Sequence, residues 1–238
     1  TQAFLSRMKA EDIYGADERT LSLQRREKEL LALIGEKADK RGIMNIQGTP
    51  DGSRPGVFYV PIPDATKHNV IGGEALFLHE AIPGHHYQVS LQQEDTTLPT
   101  FRRFLWYGAY GEGWALYTES LGKELGLYKD PYQYFGMLSS EMHRAIRLVV
   151  DVGLHTKGWT REQAIEFSKE NEAEPEESIV SEIERYMAIP GQALSYKIGQ
   201  LKILELREKA QKTLGAKFDI REFHNQVLDA GVLPIKVL

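Results

Sequence analysis

The chain has no cysteine, which excludes disulfides and thiolate metal ligands but leaves the compartment open. It has no excess of positive charge: 29 Lys and Arg stand against 34 Asp and Glu, for a net charge of -5. That balance argues against a nucleic-acid surface. No apolar run approaches the roughly 18 residues that a membrane span needs, so no transmembrane segment is expected. The chain opens at Thr1 on a charged segment, with neither an initiating Met nor a signal-like apolar core. The expectation is a processed chain or a fragment, with a periplasmic or exported location if a leader was lost with the missing part. No repeat or low-complexity linker divides the 238 residues, and one domain over 1–238 is the simplest organisation. Nothing in the residues sets an oligomeric state.

What is present reads as mostly helix. Leu21, Leu23, Leu30, Leu31 and Ile34 recur among Arg, Glu and Lys, predicting an amphipathic helix over about 10–40 that packs one face on the core. Gly48 to Gly56 is dense in turn formers and feeds Val57-Phe58-Tyr59-Val60-Pro61-Ile62-Pro63. The prolines limit that run to an edge strand, which could pair with an extended peptide. A helix capped near Asn69 is expected from Val70 to Glu80, apolar on most faces and therefore buried. Further helices are expected from Gly111, from Tyr132 to Thr156, from Thr160 with a capping box to Gln163, from Ser178 to Met187, from Gln192 to Lys212 and from Phe218 to Leu228. The fold class is mainly α with one short edge-strand region.

One stretch holds three of the seven histidines: His79-Glu80-Ala81-Ile82-Pro83-Gly84-His85-His86. Neutral imidazole is the commonest protein ligand for zinc, and a His-Glu pair followed one turn later by His marks helical zinc hydrolases. Here position i+4 is Pro83, which cannot ligate and which breaks the helical ladder. A two-residue bulge would bring His85 to the ligand position, and a three-residue bulge His86. The smaller distortion favours His85, with His86 as the alternative. Two ionisable residues ending a buried helix need a reason, and metal ligation supplies one.

A hydrolytic zinc site takes three protein ligands and leaves one position open. Glu112 is the candidate third ligand, between two glycines that permit close approach. Glu119, seven positions on, shares its helix face and can orient a ligating imidazole from behind. Glu80, beside the first ligand, is placed to act as general base.

These residues resemble a known family. His79 to His86, Glu112-Gly113-Trp114-Ala115-Leu116-Tyr117 and Pro190-Gly191-Gln192-Ala193-Leu194-Ser195-Tyr196-Lys197-Ile198-Gly199 are similar to blocks of the bacterial DUF885 proteins. Those are longer, so this chain resembles a C-terminal portion. The resemblance extends to zincin-like metallopeptidases with helical folds, the angiotensin-converting-enzyme and oligopeptidase groups, which use His-Glu-x-x-His and a downstream Glu. It implies a helical, gluzincin-type catalytic domain, and the shared Gly84-His85 pair independently favours His85.

A metallopeptidase needs a donor for its oxyanion. Tyr196 or His155 fits that role, with Lys197 or Tyr186 as substitutes. Arg144 and Arg147 are expected to pair with Glu141 or Asp151 at helical spacing; binding a peptide C-terminal carboxylate is the alternative. The expected function is zinc-dependent hydrolysis of a peptide or small amide, with Zn2+ on His79, His85 and Glu112. Alternatives are a non-catalytic metal-stabilised binding domain and a metal hydrolase acting on a non-peptide ester or amide.

Overall fold

The computed structural model describes residues 44–49, 51–59 and 70–238. The amphipathic helix expected over 10–40, the end of the expected strand from Val60 to Pro63 and the Asn69 cap lie outside the described residues.

The described fold is mainly helical. Strands β1 (Met44–Ile46) and β2 (Val57–Tyr59) form a two-stranded antiparallel ladder with Met44 opposite Tyr59 and Ile46 opposite Val57. The glycine-rich run between them closes by hydrogen bonds from the Thr49 amide to the Arg54 carbonyl and from the Gly52 amide to the Thr49 carbonyl. Helices α1 (Gly73–Glu80), α2 (His85–Glu94), α3 (Thr100–Arg103) and α4 (Gly108–Ser120) follow. After them come α5 (Pro131–Thr156), α6 (Arg161–Asn171), α7 (Glu176–Ala188), α8 (Ser195–Leu214) and α9 (Ile220–Leu228). Among the described residues no helix is long and apolar enough to cross a membrane.

Local chemistry sets several boundaries. Asp130 accepts a hydrogen bond from the Tyr132 amide and Pro131 opens α5, where its missing N–H costs nothing. Thr160 and Gln163 form the reciprocal capping box expected for α6. The amphipathic stripe of α7 runs through Ile179, Ile183 and Tyr186, at the spacing that puts them on one face.

Two apolar cores result. The larger joins α1, α2, α4 and α9 around Leu78, Ile82, Tyr110, Trp114, Tyr117 and Val227. A smaller one joins the second half of α5 to α6 and α7 through Ile146, Val150, Ala164, Ile179 and Ile183. Helix α8 lies along α4, and their backbones touch. A Cβ on Gly113 would strike the Gly199 backbone, and one on Gly199 the Ala109 carbonyl oxygen. Only glycine at both positions permits that approach. It carries Glu112, next to Gly113, and Tyr196, one turn before Gly199, to the same place.

Candidate metal centre

The Pro-Gly break does more than the expected bulge. The helix ends at Glu80 and a second begins at His85, because Pro83 cannot donate to the ladder and Ala81 leaves helical geometry (φ -100°, ψ -107°). The Ile82–Pro83 peptide is cis. Gly84 lies directly on the carbonyls of Leu78 and His79, where any Cβ would collide. Carbonyls near the break are satisfied by α4: the Trp114 indole donates to the Pro83 carbonyl at 2.7 Å and the Thr118 hydroxyl to Leu78 at 2.9 Å. This break sets the His85 ring 4.8 Å from that of His79, edge to face.

Glu112 faces both rings. Its Oε2 is 3.1 Å from His85 Nε2 and 3.7 Å from His79 Nε2, and one donor atom of each of the three residues lies within 4.8 Å of the others. A tetrahedral zinc with bonds of about 2.0 Å has ligand atoms roughly 3.3 Å apart, and the two measured edges straddle that value. Behind His79, Glu119 Oε1 is 2.8 Å from Nδ1. This holds the ring with Nε2 toward Glu112, as a carboxylate behind a ligating imidazole does. Ser140 donates to the other Glu119 oxygen at 3.0 Å. The donor set therefore fits a small divalent ion of the zinc type.

Burial alone would push the His79 imidazole down. The hydrogen-bonding carboxylates of Glu112 and Glu119, helped by the charges of Glu119 and Glu80, outweigh it and raise the group to about 9. Burial pushes Glu112 up, and its hydrogen bonds from His79 and His85 overcome that and take it well below the usual carboxylate range. The two carboxylates thus hold the His79 proton.

The other expected residues divide. His86 is buried with its ring against Gly56 in the turn after β1, outside the His79–His85–Glu112 cluster. Glu80 is partly buried and follows His79 directly. Tyr196 stacks on His79 with ring centroids 6.1 Å apart and planes 18° from parallel. Its hydroxyl is 3.3 Å from Gln192 Nε2, which also reaches Glu112 Oε1 at 3.4 Å. His155 is not brought to the cluster: its Nε2 meets the Tyr186 carbonyl at 3.0 Å. It lies about 12 Å along α5 from Arg147, at 1.5 Å per residue. Lys197 is held by Glu141 and Gln200, and the Tyr186 hydroxyl by Glu182 and Arg147.

The arginines depart from the expected helical pairing. Arg147 binds Glu182 of α7 at 2.6 Å rather than Asp151, which instead accepts the Gly191 amide. Arg144 donates to the Ser140 hydroxyl at 2.7 Å, while Glu141 takes Lys197 at 2.6 Å. Sequence reasoning missed Gln192, Ser140 and Trp106, whose ring packs over Gly111 and lies 5.7 Å from His85. Only Gln192 left a trace, one helical turn before Tyr196.

A family model described as "Bacterial protein of unknown function (DUF885)" matches residues 32–238. The chain belongs to the DUF885 family. This DUF885 chain is 42% identical to a "putative lipoprotein" of Colwellia psychrerythraea, with a TM-score of 0.77, covering 94% of this chain and 42% of that one. A likeness at 22% identity to a second such protein, of unknown function, from Shewanella oneidensis (TM-score 0.69, 99% and 47% covered) shows the fold alone. The DUF885 chain therefore spans less than half the length of either solved relative. No curated protein matches it.

Proposed function

We propose that this chain carries the metal site of a zinc-dependent hydrolase of peptide or amide bonds, similar to the helical zincins. The observation that carries the reading is the meeting of His79, His85 and Glu112 at zinc-ligand spacing, with Glu119 behind His79. A bound zinc ion would supply a Lewis acid that acidifies water and polarises a carbonyl.

The protein's own groups do the rest. His79, His85 and Glu112 would hold the ion, and Glu119 would fix the tautomer of His79. Glu80 takes a proton from the attacking water as its oxygen bonds to the carbonyl carbon. It returns that proton to the leaving nitrogen as the C–N bond breaks. The Tyr196 hydroxyl, on the ring stacked against His79, donates to the oxygen that gains negative charge. Trp106, its ring 5.7 Å from that of His85, borders the place of the reacting carbonyl. The ladder of β1 and β2 sits beside this site, since Gln47 after β1 donates to the His86 carbonyl and to Ser90 of α2. An extended substrate pairing with β2 would lie close to the start of α2. The relatives' description as lipoproteins agrees with an exported location.

The test is Glu80→Gln in the zinc-loaded chain, followed by metal analysis and hydrolysis of a peptide library. Retained zinc with hydrolysis reduced a hundredfold or more is expected; undiminished hydrolysis overturns the mechanism. A specific observation favours a second reading. The imidazoles and carboxylates already hydrogen-bond among themselves, as in a non-catalytic metal-stabilised domain. Zinc binding without turnover of peptides, amides or esters by any variant would select it.

A further inference from the structure

The turn between α7 and α8 sets one amide side chain among three helices. Gly191, at φ 82°, gives its amide to both carboxylate oxygens of Asp151, at 3.2 and 3.0 Å. Asp151 is buried on α5, so the turn is tied to that helix immediately before Gln192. The Gln192 side chain then meets three partners. Arg185 Nη1 of α7 is 3.4 Å from its Oε1. Its Nε2 is 3.4 Å from Glu112 Oε1 on α4 and 3.3 Å from the Tyr196 hydroxyl at the start of α8.

The chemistry of those partners leaves one arrangement. A guanidinium only donates, so the Gln192 atom facing Arg185 is the oxygen. An ionised carboxylate only accepts, so the atom facing Glu112 is the nitrogen. Arg185 is itself held in place, with Nε and Nη2 on the Glu182 carboxylate. Both ends therefore agree on the orientation of the amide. Its nitrogen carries two N–H bonds, and the second meets the Tyr196 oxygen. That oxygen accepts, so the Tyr196 proton is left without an acceptor among the described residues. A hydroxyl that accepts a hydrogen bond is polarised into a stronger donor. Glu112 is divided in the same way: Oε1 is taken by the amide, and Oε2 faces His79 and His85. These N···O distances are long, and catalytic hydrogen bonds tighten when a site fills.

We propose that Gln192 is a positioning residue of this site. It frees the Tyr196 proton for the substrate oxygen that gains charge, and it leaves Glu112 to hold the metal through Oε2 alone. Arg185 sets the orientation in which the amide can do both. The role rests on the hydrolase reading, and it predicts an effect that packing would not produce. A side chain that only fills space is replaced well by one of its own shape. Gln192→Glu keeps the shape and the Arg185 partner, but it offers Tyr196 an acceptor and Glu112 a like charge.

The experiment follows acetohydroxamate, a small zinc-chelating oxyanion, binding by calorimetry to the zinc-loaded chain and its variants. Zinc content and melting temperature are measured for each. Tyr196→Phe should weaken the probe about tenfold, the loss of one hydrogen bond to a charged oxygen. Gln192→Leu should weaken it by the same factor with the melting temperature unchanged, and the double variant by no more than either single change. Gln192→Glu should lose at least as much as Tyr196→Phe. It should also lose about tenfold in zinc affinity, read by competition with a chromogenic chelator. Losses that multiply in the double variant, or full affinity in Gln192→Glu, overturn the role of Gln192 and leave the hydrolase reading standing. A chain that takes up no zinc, or takes up zinc but not the probe, overturns the hydrolase reading and this role with it.

Discussion

Two polar networks in this protein place a histidine between two carboxylates, and they are finished differently. His79 sits between Glu112 and Glu119, and His143 between Glu172 (2.5 Å) and Glu182 (3.9 Å). Around Glu182 the guanidiniums of Arg147 and Arg185 and the Tyr186 hydroxyl close in. Burial pushes the Glu182 carboxyl up, but the hydrogen bonds from His143 and Arg185 and the charges of both arginines hold it well below its usual range. Among the described residues, Glu112 meets two imidazoles and an amide. A carboxylate answered by fixed cations needs nothing further. One answered by titratable rings depends on a proton or on a metal ion. The Glu182 arrangement holds α5 to α7; the Glu112 arrangement is the one that a metal ion would change.

Four experiments can break this contrast. Zinc should stabilise only through the His79 network. At a thousandfold excess over Kd, stabilisation is about 4 kcal/mol, seen as a rise in melting temperature that His79→Ala and Glu112→Ala lose and that Glu182→Gln keeps. A zinc effect surviving in both ligand variants would place the ion elsewhere. Arg147→Met leaves Glu182 short of a fixed cation in a mostly buried setting and should cost about 3 kcal/mol in chemical denaturation. That loss should be the same with zinc and with chelator. Glu119→Gln, which keeps the shape but not the charge behind His79, should weaken zinc binding by about 10- to 100-fold while leaving it measurable by competition with a chromogenic chelator.

The smallest effect is that of pH. The folded His79 titrates at about 9, above its ordinary value of 6.5. In the metal-free protein its proton therefore stabilises the fold fully below pH 6.5, and that contribution is lost as pH rises through about 9. Zinc must displace the same proton, so its affinity should climb about tenfold between pH 7 and 8, and His143 should show no such coupling to the metal. A flat zinc affinity over that range would mean that His79 is proton-free before the ion arrives.

Much of this was legible in the residues. Helical periodicity located the helices from α4 onward to within a few positions, and the Thr160–Gln163 box marked the start of α6 because capping is a contact between neighbours. His79, His85, Glu112 and Glu119 stood out by chemical type and spacing. The break at Pro83 was visible, but its outcome was not. Whether the helix bulges or ends there depends on whether α4 can supply Trp114 and Thr118 to the carbonyls near the break. The partners of Arg147 were misjudged for the same reason, since helical spacing offers Asp151 but tertiary packing brings Glu182 closer.

By itself the sequence determined the helical class, the histidine-carboxylate donor set and the glycines that allow close approach, because these follow from residue type and short-range spacing. Only the tertiary structure decided that His85 and not His86 faces Glu112, that Tyr196 covers His79, that His155 lies elsewhere and that Arg147 pairs with Glu182. Each of these depends on which distant helix occupies the space beside a side chain, and in a close-packed interior that is set by the whole chain at once.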